Sequence, residues 1–559
     1  MTSLLPDIEA LSLAEQVAQM VVVRASGYLF DHQIQYPVWE PTAAKLQHWI
    51  QELGVGGVIL LGGSAGELAL RTHQLQDWAE IPLLIAADVE EGVGQRFAGA
   101  TWFPPPMALA AVAQQSPDRA EHYAEQLGRT TAQEARAIGL NWVLAPIVDV
   151  NNNPANPVIN VRAFGETSSL VSQLITAFLH GAQQHPVLTA AKHFPGHGDT
   201  AVDSHLELPV LPHSLERLAQ VEIPPFKAAI AAGVDAVMSA HLQIPALDST
   251  YPATLSSRIL TQELRQGLGF DGLIVTDALV MGAIANRYGA NEAAVLAVEA
   301  GADVLLMPLD PEGAIQAVCE AVESGRLEAD HIQASVERLW RAKYKVCAVV
   351  EDGSTSHDWE TQSAIGVEAQ TLTAQLAQPQ AQVLVENLLR DSMQIHCPQN
   401  SRLTQARWSQ QRRNLVIVDD VLACEGLGRQ CPAIALPQAL GYQMQLVDRC
   451  TPTIASELHT LGSNAPELDA LESHQHWQPT LLQLFIRGNP FRGSAGLTQT
   501  AIDWFHYLVE TDQLLALVLY GSPYVLDQFL PTLPADVPYV FTYGQMPQAQ
   551  AIALEILSA

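Results

Sequence analysis

Eight short apolar runs punctuate the first 350 residues, at 20–23, 55–61, 83–87, 142–147, 187–191, 236–240, 272–276 and 303–307. Each is of strand length, and most carry Val, Ile or Leu on consecutive positions, as strands buried on both faces do. Between them lie amphipathic patterns of helical period, among them 42–53, 68–78, 119–138, 170–182, 218–232 and 260–268. Gly139, Gly233, Gly269 and Gly301 stand where a helix must stop just before a strand, as C′ glycines do. This alternation predicts a closed (β/α)8 TIM barrel over residues 1–350. An open doubly wound sheet would show the same alternation. The polar positions favour the barrel. Asp88, Asp149, Lys192 with His193, His241 and Asp277 each fall at or just after the C-terminal end of a different run. Barrel closure would bring those ends to one mouth.

A long helical stretch, 313–344, ends the barrel pattern, and the polar sequence EDGSTSHDWETQ opens a linker spanning 351–384. Apolar runs return at 414–418, 481–486, 515–520 and 537–541, with helical patterns between them and at 548–557. They predict a second α/β sandwich domain over 385–559. No internal repeat shows beyond the βα alternation.

Composition narrows the partners. The chain has 559 residues and 48% hydrophobic content, ample for two large cores. Its formal net charge of −31 disfavours nucleic acid and anionic membranes, both of which are held through Lys and Arg. The expected partner is a small molecule. The N-terminal MTSLLPDIEALSLAEQ has no basic segment, apolar core or small-residue cleavage site, and no apolar stretch reaches the ~20 residues of a membrane span. The six cysteines (Cys319, Cys347, Cys397, Cys424, Cys431, Cys450) form no C-x-x-C pair and read as free buried thiols in a reducing cytoplasm. No cofactor and no metal are expected.

The densest chemistry is Lys192-His193-Phe194-Pro195-Gly196-His197-Gly198-Asp199-Thr200-Ala201-Val202-Asp203-Ser204-His205. It leaves the fifth run as a turn-rich loop, where barrel enzymes carry catalytic groups. Three His, two Asp and one Lys in fourteen residues is dense for a chain with 16% charged residues.

This segment resembles the signature of the β-N-acetylhexosaminidase branch of glycoside hydrolase family 3. The likeness extends through most of the first 350 residues, in Val148-Asp149-Val150-Asn151-Asn152-Asn153-Pro154, Arg162-Ala163-Phe164-Gly165 and Thr276-Asp277-Ala278-Leu279. It implies a retaining, exo-acting β-N-acetylglucosaminidase acting on terminal β-linked GlcNAc in a small carbohydrate. Asp277 would be the nucleophile and His205, oriented by Asp203, the acid/base. Asp277 follows a dry strand, which suits a nucleophile on a rigid support; by position alone it suits a helix N-cap equally. Histidine titrates near neutrality and so can donate and recover a proton, with Asp203 fixing its tautomer. The resemblance also implies sugar contacts from Asp88, Arg96, Arg162, Lys192 and His193. His241 reads either as pocket lining or as a satisfied core histidine. His197 and Asp199 read as loop-shaping.

One departure bears on specificity. Where the family commonly reads D-x-E-G-G-R-V-Q-R, this chain has Asp88-Val89-Glu90-Glu91-Gly92-Val93-Gly94-Gln95-Arg96, with Glu91, Val93 and Gly94 in place of Gly, Arg and Val. A different wall beyond the first sugar subsite, and a different aglycone preference, would follow.

Three other chemistries stay open. A neutral histidine repels phosphate less than a carboxylate would, so a β-N-acetylglucosaminide phosphorylase fits the same residues. A β-glucosidase keeps the barrel and Asp277. A zinc hydrolase would use His193, His197 and His205, but such barrels want H-x-H after the first strand, where Val21-Val22-Val23-Arg24-Ala25 stands. A binding protein on a decayed scaffold has no support, since each residue the mechanism needs is present. In the second domain, the arginine-containing stretch 487–496 reads as a loop paired with carboxylates or as an anion contact. Gly521-Ser522-Pro523-Tyr524 reads as a strand-to-helix turn. The domain itself reads as a structural or dimerisation unit, which admits a homodimer.

Overall fold

The computed structural model describes residues 5–201, 207–349, 355–357, 369–399, 411–451, 478–487 and 495–558. The chain divides into two compact units, Met1–Leu384 and Val385–Ala559.

The first unit is the barrel. Its strands are β1 (Val21–Ser26), β2 (Gly57–Leu61), β3 (Leu84–Ala87), β4 (Trp142–Val143), β5 (Leu188–Phe194), β6 (Ala236–Ser239), β7 (Leu273–Val275) and β8 (Leu305–Leu306). They run parallel in the order β7-β6-β5-β4-β3-β2-β1-β8, with Val21 and Val22 of β1 opposite Leu305 and Leu306 of β8. The ring is completed by a Val275–Val304 bridge and by the Thr276 N–H donating to the Val304 carbonyl at 3.0 Å. Every residue of β3, β5, β6 and β7 is buried, the burial that consecutive apolar positions call for.

The helices begin where their caps place them. Ser12 and Glu15 form a capping box on Leu13–Gln19, and Ser64 caps Ala65–Trp78. Gly139, Gly233, Gly269 and Gly301 all take positive φ, as helix-ending glycines do. Helices Pro117–Ala137 and Ser168–Ala182 cross backbone to backbone. A Cβ on Gly128 would lie 2.0 Å from the Phe178 carbonyl oxygen, and one on Gly181 would lie 1.9 Å from that of Glu125. Only glycine allows that approach.

Four patterns resolve differently from the expectation. The stretch 313–344 is two helices, Pro311–Glu323 and Ala329–Lys345, separated at Gly325 with φ 76°. The pattern 218–232 is also two, Leu215–Gln220 and Ile223–Ala231, because prolines at 224 and 225 belong in a first turn. The runs 142–147 and 303–307 supply only two strand residues each; Pro146 has no N–H for the ladder, and Asp303 serves another purpose.

That purpose recurs at the N-terminal end of the barrel. The Asp303 carboxylate accepts the Ile274 N–H of β7 at 2.8 Å, the Asp235 carboxylate accepts the Thr189 N–H of β5 at 3.0 Å, and the Asn141 side-chain oxygen accepts the Ile85 N–H of β3 at 2.7 Å. A polar residue just ahead of β4, β6 and β8 thus staples each to the strand before it. Arg265, Arg338 and Ser335 converge on Asp303 as well.

After the barrel, β9 (Cys347–Val349) and β10 (Thr355–His357) pair antiparallel. Residues 351–354 and 358–368 of the expected linker lie outside the described residues, and helices occupy Ala369–Gln375 and Pro379–Ser392.

The second unit is a six-stranded sheet of β11 (Gln394–His396), β12 (Arg412–Val418), β13 (Tyr442–Val447), β14 (Thr480–Ile486), β15 (Leu514–Gly521) and β16 (Tyr539–Thr542). The order is β11-β16-β15-β14-β12-β13, parallel except for β11. Helices Pro432–Ala439 and Pro547–Ser558 pack together over a core that includes Val416, Phe485, Val518 and Tyr520. Within that interior, Gln483 donates to the Asn414 side chain and the Ala433 carbonyl at 2.7 Å each and accepts from the Tyr520 hydroxyl at 2.9 Å. The turn at 521–524 is as expected, with Ser522 ahead of helix Pro523–Phe529. Positions 488–494 of the arginine-containing stretch lie outside the described residues.

Among the described residues, no helix is long and apolar enough to cross a membrane. The described free cysteines are not uniformly buried as expected. Cys431 is buried and Cys319 and Cys424 partly so, but Cys397 and Cys450 are exposed, in turns beyond the edge strands β11 and β13.

Candidate active site

The C-terminal ends of the barrel strands carry the charges that the interior excludes. β5 contributes Lys192, which is 2% exposed. Its ammonium lies 2.6 Å from Asp88 and 2.7 Å from Glu90, both beyond the end of β3. Glu90 is buried too, and Arg162 grips it with two parallel bonds, Nε to Oε2 and Nη2 to Oε1, at 2.8 Å each. The result is a chain of alternating charge, Asp88–Lys192–Glu90–Arg162. Burial would raise the Glu90 carboxyl, but Arg162 and Lys192 hold it well below the usual carboxylate range. Burial likewise works against the Lys192 ammonium, and Asp88 and Glu90 more than offset it. Asp88 is the member that faces solvent, with 36% of its side chain exposed. Arg96 supports it from behind, donating from Nε to the Asp88 backbone carbonyl at 3.1 Å.

A second group sits on the other side of Lys192. The pairing of β4 with β5 continues past β4 through an Ile147–Lys192 bridge, and the Val148 N–H donates to the Lys192 carbonyl at 2.8 Å. That carries Asp149 beside His193, whose Nδ1 is 2.8 Å from its carboxylate. Asp149 also accepts the backbone N–H of His197 at 2.7 Å. Burial would raise the Asp149 carboxyl, yet these partners hold it below the usual range. The His197 ring meets the Thr200 hydroxyl through Nδ1 at 2.9 Å. Burial pushes this imidazole down to about 4, against the pull of Asp149.

The His197 shift has a consequence for stability. Its folded pKa lies below the ordinary 6.5, so between pH 6.5 and 4 the unfolded chain binds a proton that the folded chain refuses. Stability is therefore present above 6.5 and is lost as pH falls through that window, by roughly 3 kcal/mol at most. Denaturant midpoints at pH 7 and pH 5 should differ in the native chain and differ less in His197→Asn. Equal pH sensitivity of the two proteins would disprove the assignment.

Asp277 leaves β7 on the same rim. The helix that follows is Gly282–Tyr288, with Met281 at its cap, so Asp277 is not its N-cap. The turn is pinned instead to β8, with Leu279 N–H donating to the Leu306 carbonyl at 2.9 Å, while Asp277 Oδ1 accepts the Ala278 N–H at 2.7 Å. His241 is fully buried. Its ring nitrogens meet the Thr254 hydroxyl at 2.8 Å and the Ala278 carbonyl at 3.0 Å. Of its two readings, the structure places it in the packed interior, where it buttresses the residue after Asp277.

Asp203 and His205 lie outside the described residues. Among the described ones, no group of three or more His, Cys, Asp or Glu side chains is arranged to hold a metal ion. The sequence reading gave no role to Glu90, the hub of the charge chain, nor to Asp149, though both carry a signal: an acidic position in an otherwise dry strand end. Two of the three departures after β3, Glu91 and Gly94, have local contacts that account for them. The Glu91 carboxylate accepts the Trp102 indole N–H at 3.0 Å, and a Cβ on Gly94 would lie 2.4 Å from the Ala100 carbonyl oxygen, so this turn has no room for the valine common there.

Both units are similar to known proteins. Residues 12–342 match the glycosyl hydrolase family 3 N-terminal domain, and residues 405–559 match the bacterial glycosyl hydrolase family 3 C-terminal domain. Beta-hexosaminidase A of Pseudoalteromonas piscicida is 34% identical over 333 residues, covering 54% of this chain and 55% of its own length. A beta-N-acetylglucosaminidase/beta-glucosidase of Cellulomonas fimi is 32% identical over 301 residues, covering 52% of each. The chain thus spans about half the length of these two relatives. The solved structure of a family 3 beta-N-acetylglucosaminidase from Paenibacillus sp. str. FPU-7 is 31% identical, with a TM-score of 0.74 over 98% of this chain and 97% of that one.

Proposed function

Because this chain belongs to glycosyl hydrolase family 3, we propose that it is a retaining, exo-acting β-N-acetylglucosaminidase. The observation that carries the reading is that Asp277, after β7, and the Asp88–Lys192–Glu90–Arg162 chain, at the ends of β3 and β5 and beyond, stand at the same C-terminal end of the barrel, in a protein similar along nearly its whole length to a solved beta-N-acetylglucosaminidase.

The chemistry follows from what each group can do. Asp88, Lys192, Arg162 and His193 hold the hydroxyls of the terminal sugar, with Arg96 steadying Asp88. Asp277 attacks the anomeric carbon and forms a glycosyl ester. His205, oriented by Asp203, protonates the departing oxygen and then takes a proton from the water that cleaves the ester. Two inversions leave the β configuration unchanged. The substrate is a small carbohydrate with terminal β-linked GlcNAc, such as a cell-wall muropeptide fragment, met in the cytoplasm. No metal or cofactor enters these steps. The second unit acts as a structural or dimerisation element. The Glu91–Trp102 turn alters the wall beyond the first sugar, and a panel of GlcNAc disaccharides should be cleaved in a different order from that of relatives lacking it.

The deciding assay offers the purified chain a chromogenic β-GlcNAc glycoside and its β-glucoside counterpart in phosphate-free buffer. Release from the GlcNAc substrate is expected. Release from the glucoside alone would overturn the specificity, and silence repaired by phosphate would replace hydrolysis with phosphorolysis.

A further inference from the structure

The loop after β5 contains a charged cluster that the mechanism above does not use. Asp199 accepts from His213 Nε2 at 2.9 Å and lies 3.6 Å from Arg217 Nη2. Arg217 also reaches the buried carboxylate of Glu222 at 3.3 Å. A Cβ on Gly196 would stand 2.8 Å from the Glu222 Cβ, so the start of the loop lies directly on this cluster.

Each shoulder of the loop is anchored separately. On the first, the Asn156 amide donates to the carbonyls of His197 and Gly198 at 2.9 and 3.0 Å, and the His197 N–H donates to Asp149. On the second, the Leu211 N–H donates to the Gln243 carbonyl at 2.8 Å, and the Gln243 N–H returns to the Pro209 carbonyl at 2.9 Å. The Asp199–His213 pair joins the two shoulders across a separation of 14 residues. Asp203 and His205 fall within that span.

We propose that Asp199 and His213 are positioning residues, a clasp at the neck of the segment that carries the acid/base pair. The proposal rests on the reading of His205 as the proton donor. A proton must be delivered to one oxygen at hydrogen-bond distance, and a misplacement of about 1 Å can cost roughly 100-fold. Each shoulder is anchored to its own side of the barrel, and the Asp199–His213 bond ties the two shoulders directly to each other as well, narrowing the spacing further. Both partners are about a quarter exposed, so the pair adds little to stability. Its effect falls on placement.

The leaving group separates placement of a proton donor from general damage. A dinitrophenolate departs with little protonic help, whereas the sugar alkoxide of diacetylchitobiose needs a full proton. His213→Ala is expected to lower kcat/KM on diacetylchitobiose roughly 10- to 100-fold and on dinitrophenyl β-GlcNAc less than about threefold. His213→Gln, whose amide can still donate to Asp199, should recover most of the loss, and the melting midpoints of both variants should stay near that of the native chain. His205→Ala, measured alongside, should show the same leaving-group pattern more strongly. Equal losses on both substrates in His213→Ala, or failure of His213→Gln to recover, would overturn the clasp alone. Absence of the pattern in His205→Ala would overturn the acid/base assignment, and the clasp with it.

Discussion

Asp277→Ala is expected to lower turnover of an aryl β-GlcNAc glycoside by roughly 10⁴-fold or more, the scale on which enzymes lose activity when a nucleophile is removed. The folded state should be little affected. Asp277 is only partly buried, so the melting midpoint of the variant should stay close to that of the native chain. The emptied space gives a sharper readout than the rate. Azide added to Asp277→Ala can occupy the missing carboxylate's place, displace the aglycone from the opposite face and leave the α-glycosyl azide. Formation of that product would identify the missing group as the one facing the anomeric carbon. Native-like turnover in the variant would eliminate Asp277 as nucleophile, whatever the product.

Glu90→Ala should fail differently. Glu90 neutralises two cations that are themselves withdrawn from water, Lys192 at 2.7 Å and Arg162 at 2.8 Å. Removing one partner of a buried ion network leaves uncompensated charge, which costs about 3–5 kcal/mol. The variant should unfold at clearly lower denaturant, and its kcat/KM should fall at the same time, because Lys192 and Arg162 lose the group that aims them. Glu90→Gln keeps the shape and some acceptor capacity and should be intermediate in both. A Glu90→Ala protein as stable as the native chain would show that the network is solvated in solution. The two variants therefore separate chemistry from support: one loses turnover with stability intact, the other loses both.

How far the sequence led can be seen in particular residues. Strands β3, β5, β6 and β7 were legible because burial on both faces leaves consecutive apolar positions, and the polar residue that ends such a run cannot hide. β13 was not: it is an edge strand whose sequence, YQMQLV, has an exposed centre, so nothing forces its residues to be apolar. The split of 313–344 at Gly325 was missed because one glycine in a helical pattern can be tolerated or can end it. Asp88, Lys192, Arg162 and Asp277 stand out in the sequence through motif and position together. Glu90 was passed over because its importance lies in contacts from residues 72 and 102 positions away, which local pattern does not record. His241 showed the reverse. Its place at a strand end suggested a ligand contact, and only the packing of Thr254 and Ala278 around its ring shows it enclosed.

The three staples at the far end of the barrel bear on how it is assembled. They join residues 56, 46 and 29 positions apart, always a strand to its immediate successor. Closing segments of that length costs little more than closing shorter ones, and contacts of short sequence separation form early. A chain emerging from its N-terminus can therefore lock β3 to β4, then β5 to β6, then β7 to β8, each as soon as the second member is available. The one pairing that must wait is β1 with β8, the seam that turns a row of finished pairs into a ring.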